Sequence, residues 1–137
     1  MELHAYLTFE GNCAEALKFY ERAIGAKVEL AMTHGASPMA EHSPKEWHDK
    51  ILHASVRVGS TSFFASDAPP GRYVRPAGFA LSINLVDPVL AEKTFAALSE
   101  GGEVGFPLQK TFWAVLFGVV TDRFGTPWMV NCEEPRG

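Results

Sequence analysis

Four stretches of this chain alternate so that imidazole, phenol, guanidinium and carboxamide groups share one side of what would be β-strands. His4, Tyr6 and Thr8 do so in the first, and His53, Ser55 and Arg57 in the second; Ser82 and Asn84 follow, then Asn131 near the end. A period of two puts each set on a single strand face. The imidazoles of His4 and His53 titrate near neutrality and suit proton transfer as general bases. The planar fork of Arg57 suits a carboxylate or phosphate, or it is an exposed strand arginine paired with a neighbouring acid. Trp113 and Trp128 stand at strand ends and would add apolar surface. A largely apolar wall with a few convergent polar groups is how small-molecule pockets are built. The candidate ligand-binding cavity is therefore His4, Tyr6, His53, Ser55, Arg57, Ser82, Asn84, Trp113, Trp128 and Asn131, with no residue assigned a catalytic role.

The remaining reactive side chains carry weaker signals. His53 is also read as a wall residue bonding Tyr6 or Ser55. His34, His42 and His48 fall in an irregular stretch without the spacing of a zinc site and are expected to be solvated. Cys13 and Cys132 have no CxxC partner, so neither a zinc knuckle nor a redox pair is indicated, and both are expected to be buried as small apolar residues. Individually, Phe63, Phe64, Phe112 and Phe117 read as core or interface residues.

Composition bounds the rest. A chain of 137 residues, 47% hydrophobic and 20% charged, has the size of one globular domain with its own core. The net charge of −4 is made of interspersed acids and bases, which makes nucleic acid and anionic membrane poor partners. Apolar runs fall far short of the ~20 residues of a bilayer span, and Met1-Glu-Leu-His4 lacks the character of a secretion signal, so a cytoplasmic protein is expected.

The elements that must position these groups can be read in order. Leu3 to Phe9 alternates as a strand. Asn12 stands at an N-cap position before a helix to Ile24, whose stripe is Leu17, Tyr20 and Ile24, and Gly25 ends it. Lys27 to Met32 is a second strand. Thr33 to Asp49 is a long loop with one helical turn at Pro44 to His48. Ile51 to Val58 and Thr61 to Ser66 are strands joined at Gly59-Ser60, and the proline-rich Asp67 to Gly78 is a connection. The order then repeats: a strand Phe79 to Leu85, a helix capped by Asp87-Pro88 with Leu90, Lys93, Thr94, Ala97 and Leu98 on its inner face, Gly101-Gly102, and a strand Val104 to Leu108. A hairpin closes the chain, with Val115 to Val120 turning at Asp122 to Gly125 into Trp128 to Cys132.

L-x-F-x-G-N-C-x-E-A-L-x-F-Y at Leu7 to Tyr20, W-x-D-K-I-x-H-A at Trp47 to Ala54, A-S-D-A-P-P-G at Ala65 to Gly71, T-F-W-A at Thr111 to Ala114 and T-D-R-F-G-x-P-W-M-V-N-C at Thr121 to Cys132 occur in this order. Together they resemble the PhnB-like branch of the vicinal oxygen chelate superfamily, which includes glyoxalase I, bleomycin-resistance proteins and extradiol dioxygenases. The resemblance implies an α+β fold: one domain over residues 1–137, with two βαβββ modules (about 1–70 and 77–133) forming a curved, open eight-stranded mixed sheet with helices on the outer face. Sequences of that branch are often labelled methyltransferase-like, but no glycine-rich strand-to-helix turn is present here to hold a nucleotide-like cofactor.

In metal-dependent members each module donates two His or Glu ligands from its first and last strands. Here His4 alone matches; the other positions fall near Phe64 to Ser66, near Phe79 to Leu81 and at Met129. Shifted registers would have to recruit Asp67, His53 or Glu133. One imidazole is too little for a divalent ion, so the resemblance implies a metal-free protein binding an unknown small organic molecule. A homodimer is expected from it as well. The alternatives are a metal-dependent lyase, isomerase or dioxygenase of glyoxalase type with one divalent ion, and a metal-free enzyme using His4 or His53 as base.

Overall fold

Leu7 and Phe9 alternate with Tyr6 and Thr8 because one side of their strand lies on a helix and the other does not. The computed structural model of the protein describes residues 1–135. It divides into two compact units, Met1–Val74 and Arg75–Gly137. The first contains β1 (Tyr6–Phe9), α1 (Cys13–Ile24), β2 (Lys27–Thr33), β3 (Ile51–Val58) and β4 (Thr61–Asp67). The second contains β5 (Leu81–Leu85), α2 (Pro88–Ser99), β6 (Glu103–Gln109), β7 (Leu116–Thr121) and β8 (Pro127–Cys132). Both are βαβββ units and the fold is α+β. The eight strands are hydrogen-bonded as two open, mixed sheets of four, ordered β1-β4-β3-β2 and β5-β8-β7-β6, neither closed into a barrel. In each, the first strand runs parallel to the fourth and the other pairs are antiparallel. No helix among the described residues is long and apolar enough to cross a membrane.

In the first unit Leu7, Phe9, Ala54, Val56, Phe63 and Ala65 are buried with Ala16, Leu17, Phe19 and Tyr20 of α1. The ring of Tyr20 meets those of Phe9 and Phe63 at centroid distances of 6.4 and 6.2 Å. Asn12 occupies the N-cap of α1, but its side chain makes no capping bond. Asp67 supplies the acceptor instead, from the end of β4: Oδ1 takes the Cys13 N–H at 2.9 Å and Oδ2 the Ile51 N–H at 2.8 Å. A carboxylate there meets the orphan amides and the positive end of the helix dipole together. The expected strand from Leu3 starts only at Tyr6, and Leu3 is 98% exposed. The Ser62 carbonyl, which a longer β1 would have bonded through its backbone, takes the His4 ring instead.

In the second unit Asp87 does cap its own helix, accepting from Val89 N–H at 3.0 Å with Pro88 behind it. The inner face of α2 is Ala91, Thr94, Phe95 and Leu98, whereas Leu90 is half-exposed. Phe95, which is not among the residues of this face read from the sequence, belongs to this stripe, because Gly118 of β7 leaves room for it: a Cβ there would lie 2.6 Å from Phe95 Cε2. The closing hairpin is as expected, with Gly125 at φ 90° and Asp122 Oδ1 accepting the N–H of Phe124 at 2.8 Å and of Thr126 at 3.1 Å.

Candidate functional site

Each sheet buries one face under its helix and leaves the other open, so pairing register decides which side chains share the open face. On the first sheet Tyr6 pairs with Phe64, Phe64 with Ser55, Arg57 with Ser62, and His53 with Met32. The Tyr6 hydroxyl is 3.2 Å from His53 Nδ1, which is the bond to Tyr6 anticipated for this histidine. Four rings meet here: Phe64 contacts His4 edge-on at 5.1 Å, His53 at 5.4 Å and Tyr6 at 6.2 Å. Three of the four rings, those of His4, Tyr6 and His53, were singled out in the sequence. Phe64 was missed; the available signal was a large ring at Phe64 on the strand face otherwise given to Ser62 and Ser66.

Ser55 lies on this face, partly exposed, and so does Arg57. The guanidinium Nε of Arg57 is 3.8 Å from Glu29 Oε2 across half-exposed surface, the pairing read as its plainer role. Such an exposed pair contributes little to stability, and the guanidinium keeps donors for another anion.

His4 donates through both nitrogens, Nδ1 to the Ser62 carbonyl at 2.9 Å and Nε2 to the Glu2 carboxylate at 2.7 Å. Two acceptors demand two N–H groups, so the Glu2 bond first, and then the Ser62 bond, raise its pKa above the ordinary 6.5. The folded state therefore binds this proton more tightly than the unfolded chain does. The stabilisation is complete below about pH 6.5, the unfolded value, and is lost as pH rises through the elevated folded value. Glu2 is largely exposed, so the effect is screened by salt. The His4 ring signals in an NMR titration should move at higher pH than those of an unstructured histidine, and Glu2→Gln should bring the midpoint down.

That arrangement also tests the metal site implied by the resemblance. Both nitrogens of the one matching residue are engaged, so a cation at His4 would have to displace the Glu2 carboxylate or the Ser62 carbonyl. Asp67, proposed as a substitute ligand, lies on the helix side and is spent on two backbone amides. Glu133 Oε1 accepts from Asn131 at 3.4 Å, and Met129 carries no hard donor. Among the described residues no three His, Cys, Asp or Glu side chains are grouped closely enough to hold an ion. The residues present do not fit a divalent metal.

On the second sheet Ser82, Asn84 and Asn131 share the open face, Asn84 directly beside Asn131 and Asn131 beside Phe117. Ser82 Oγ donates to Asn84 Oδ1 at 3.2 Å. The shielded Asn131 Oδ1 meets no donor among the described residues, an unpaired acceptor on this face. Trp113 packs edge-on against Phe117 at 5.2 Å, and Phe117 against Phe106 at 5.8 Å, giving this face an aromatic row. The segment before β7 also lines a groove of about 560 Å³ with Lys110, Phe112 and Trp113, joined by Glu134.

Trp128 does not belong to the group. It is 3% exposed, on the α2 side with Val130 and Cys132, and its indole N–H donates to Asp122 Oδ2 at 2.8 Å. Trp128 and Asn131 are three residues apart in one strand, so alternation alone puts them on opposite faces.

The loop histidines are builders rather than solvated groups, His42 excepted. His48 Nε2 donates to the carbonyls of Ala40 at 3.0 Å and Ser43 at 3.1 Å, and His34 Nδ1 lies 3.1 Å from Ser43 Oγ. The loop contains two short 3-10 turns, Ala40–His42 and Lys45–Trp47, and Ser43 caps neither through its side chain. Lys50 Nζ ties the loop's end to the Gly11 carbonyl at 2.8 Å. Cys13 and Cys132 are both buried thiols in reduced form. Burial, then the Asp67 charge, pushes Cys13 up to about 12; burial, then Asp87, raises Cys132. Neither is a nucleophile at neutral pH.

Comparison with known proteins supplies the context. Protein YjdN of Escherichia coli (strain K12) is 36% identical over 139 residues, covering 96% of this chain and 95% of that one. The crystal structure of protein PA1353 from Pseudomonas aeruginosa matches with a TM-score of 0.87 at 44% identity, covering 98% of this chain and 99% of the other. A protein from Bacillus cereus described as a putative 3-demethylubiquinone-9 3-methyltransferase, PhnB protein, shares the fold, with a TM-score of 0.80 at 17% identity over 96% of this chain and 99% of that one. The model of the Glyoxalase/Bleomycin resistance protein/Dioxygenase superfamily matches residues 2–130. With that match over nearly its whole length and the repeated βαβββ units that carry it, the chain belongs to the Glyoxalase/Bleomycin resistance protein/Dioxygenase superfamily.

Proposed function

We propose that this PhnB-like protein binds a small organic molecule on the open faces of its sheets, without a resident metal ion, in the cytoplasm and as a homodimer. The observation that carries the reading is the commitment of His4: the sole residue at a ligand position gives both its nitrogens to Ser62 and Glu2. What remains exposed around it is aromatic and hydrogen-bonding surface, suited to an organic ligand. The dimer is supported by apolar side chains on edge strands, Leu30 and Met32 of β2 and Val104 and Phe106 of β6, all more than a third exposed.

The test is elemental analysis of untagged, dialysed protein alongside a thermal-shift screen of metabolites and a sedimentation run. Well under one equivalent of zinc, nickel, iron or manganese per chain, a stabilising metabolite, and twice the 15.0 kDa chain mass are expected. About one equivalent of metal, lost in His4→Ala, would falsify the metal-free reading. Turnover of the stabilising compound that disappears in His53→Gln would replace binding by metal-free proton transfer through the Tyr6–His53 pair.

A further inference from the structure

We propose that the open face of the first sheet takes a planar, conjugated ring bearing a carbonyl or carboxylate oxygen, with Phe64 as the floor and His53 Nε2–H as the donor to that oxygen. The proposal rests on the binding reading above and names its ligand class.

The floor follows from register. Phe64 stands between Ser62 and Ser66 on its own strand and opposite Ser55 on the next, so small side chains surround a large ring on an otherwise polar face. Its other neighbours are rings: His4 at its edge, with His53 and Tyr6 tilted beside it at 31° and 41°. Tyr6 is 49% exposed. Burying this patch rewards any apolar ligand, but only a flat π-system also gains the geometric preference of ring upon ring.

The oxygen follows from the tautomer. A phenol is a stronger acid than a neutral imidazole N–H, so the Tyr6 hydroxyl donates to His53 Nδ1 across their 3.2 Å bond. That places the remaining ring proton on Nε2, which has no partner among the described residues. An N–H donor beside an aromatic floor selects an acceptor on the rim of the ligand's ring. The basic groups of this face, His4 and Arg57, each already have an acidic partner, so a neutral carbonyl and a single carboxylate are both accommodated.

Benzamide, benzoate and cyclohexanecarboxamide are the probes, titrated into the full chain carrying 13C-labelled histidine. Benzamide and benzoate should shift the His53 ring signals. Cyclohexanecarboxamide, equal in polar group but not flat, should bind about threefold to tenfold more weakly, as should benzamide to Phe64→Leu. His53→Phe keeps a ring and removes the donor, and should also weaken benzamide. Equal affinity for the flat and puckered amides, or no change in either variant, overturns the proposal. If no probe moves His53 while some other metabolite raises the Tm, the planar-ring inference falls and the binding reading stands. If the screen yields no ligand at all, the binding reading falls with it.

Discussion

Asp67→Ala should lower the free energy of unfolding by about 3–5 kcal/mol, because it removes two charge-assisted hydrogen bonds and leaves both donors buried without acceptors. Asp67 is 5% exposed, and the amides it holds belong to different elements, Cys13 at the start of α1 and Ile51 at the start of β3. No neighbouring side chain is shown taking over that role; Asn12, the residue in sequence position to cap the helix, makes no such bond. Urea unfolding with an unchanged m-value measures the loss. The Cys13 thiol should stay protonated at neutral pH in the variant, since burial is the larger reason for its elevation and the carboxylate the smaller. A variant that kept its stability while losing ligand binding would place Asp67 in the site and remove it from the scaffold.

Trp128→Ala should cost a comparable amount, about 3–5 kcal/mol, through the cavity left in the core of the second unit. Trp128→Phe separates the two parts of that cost. It keeps most of the apolar ring but withdraws the indole N–H from Asp122 Oδ2, and should lose about 1.5–3 kcal/mol, the worth of a hydrogen bond to a charged group. Asp122 keeps the Phe124 and Thr126 amides, so the turn itself should form in both variants. Thermal unfolding of the pair resolves the difference. Ligand binding, measured under conditions where Trp128→Phe is folded, should be unchanged, because this side chain faces α2 and not the open face. Loss of affinity with intact stability would contradict that placement.

The pairing of structural carboxylates bears on how the superfamily fold is used here. Asp67, weighed as a substitute metal ligand, serves two backbone amides, and Asp122 serves two backbone amides and an indole. A buried carboxylate with two or three N–H partners is satisfied as it stands and has little reason to turn toward a cation.

Local pattern sufficed for much of this protein. Alternation around Leu7, Val56 and Val130 specified strands and their buried faces, Gly25 and Gly125 marked a helix end and a hairpin turn at positive φ, and the repeated order of elements gave two βαβββ units. The same alternation put His4, Tyr6, His53, Ser55 and Arg57 on one face, and Ser82, Asn84 and Asn131 on another. It also contained the evidence against Trp128, three residues from Asn131, although the ring's size suggested otherwise. What depended on residues far apart in the chain was decided by tertiary structure. Asp67 caps a helix more than fifty positions away, Gly118 makes space for Phe95, and the carbonyl of Ser62, on β4, accepts a hydrogen bond from the His4 ring. Those are the contacts that commit an imidazole to donation and a carboxylate to the scaffold. Period and propensity report which side of an element a residue occupies; the partner it meets there depends on strand pairing, which local sequence does not encode.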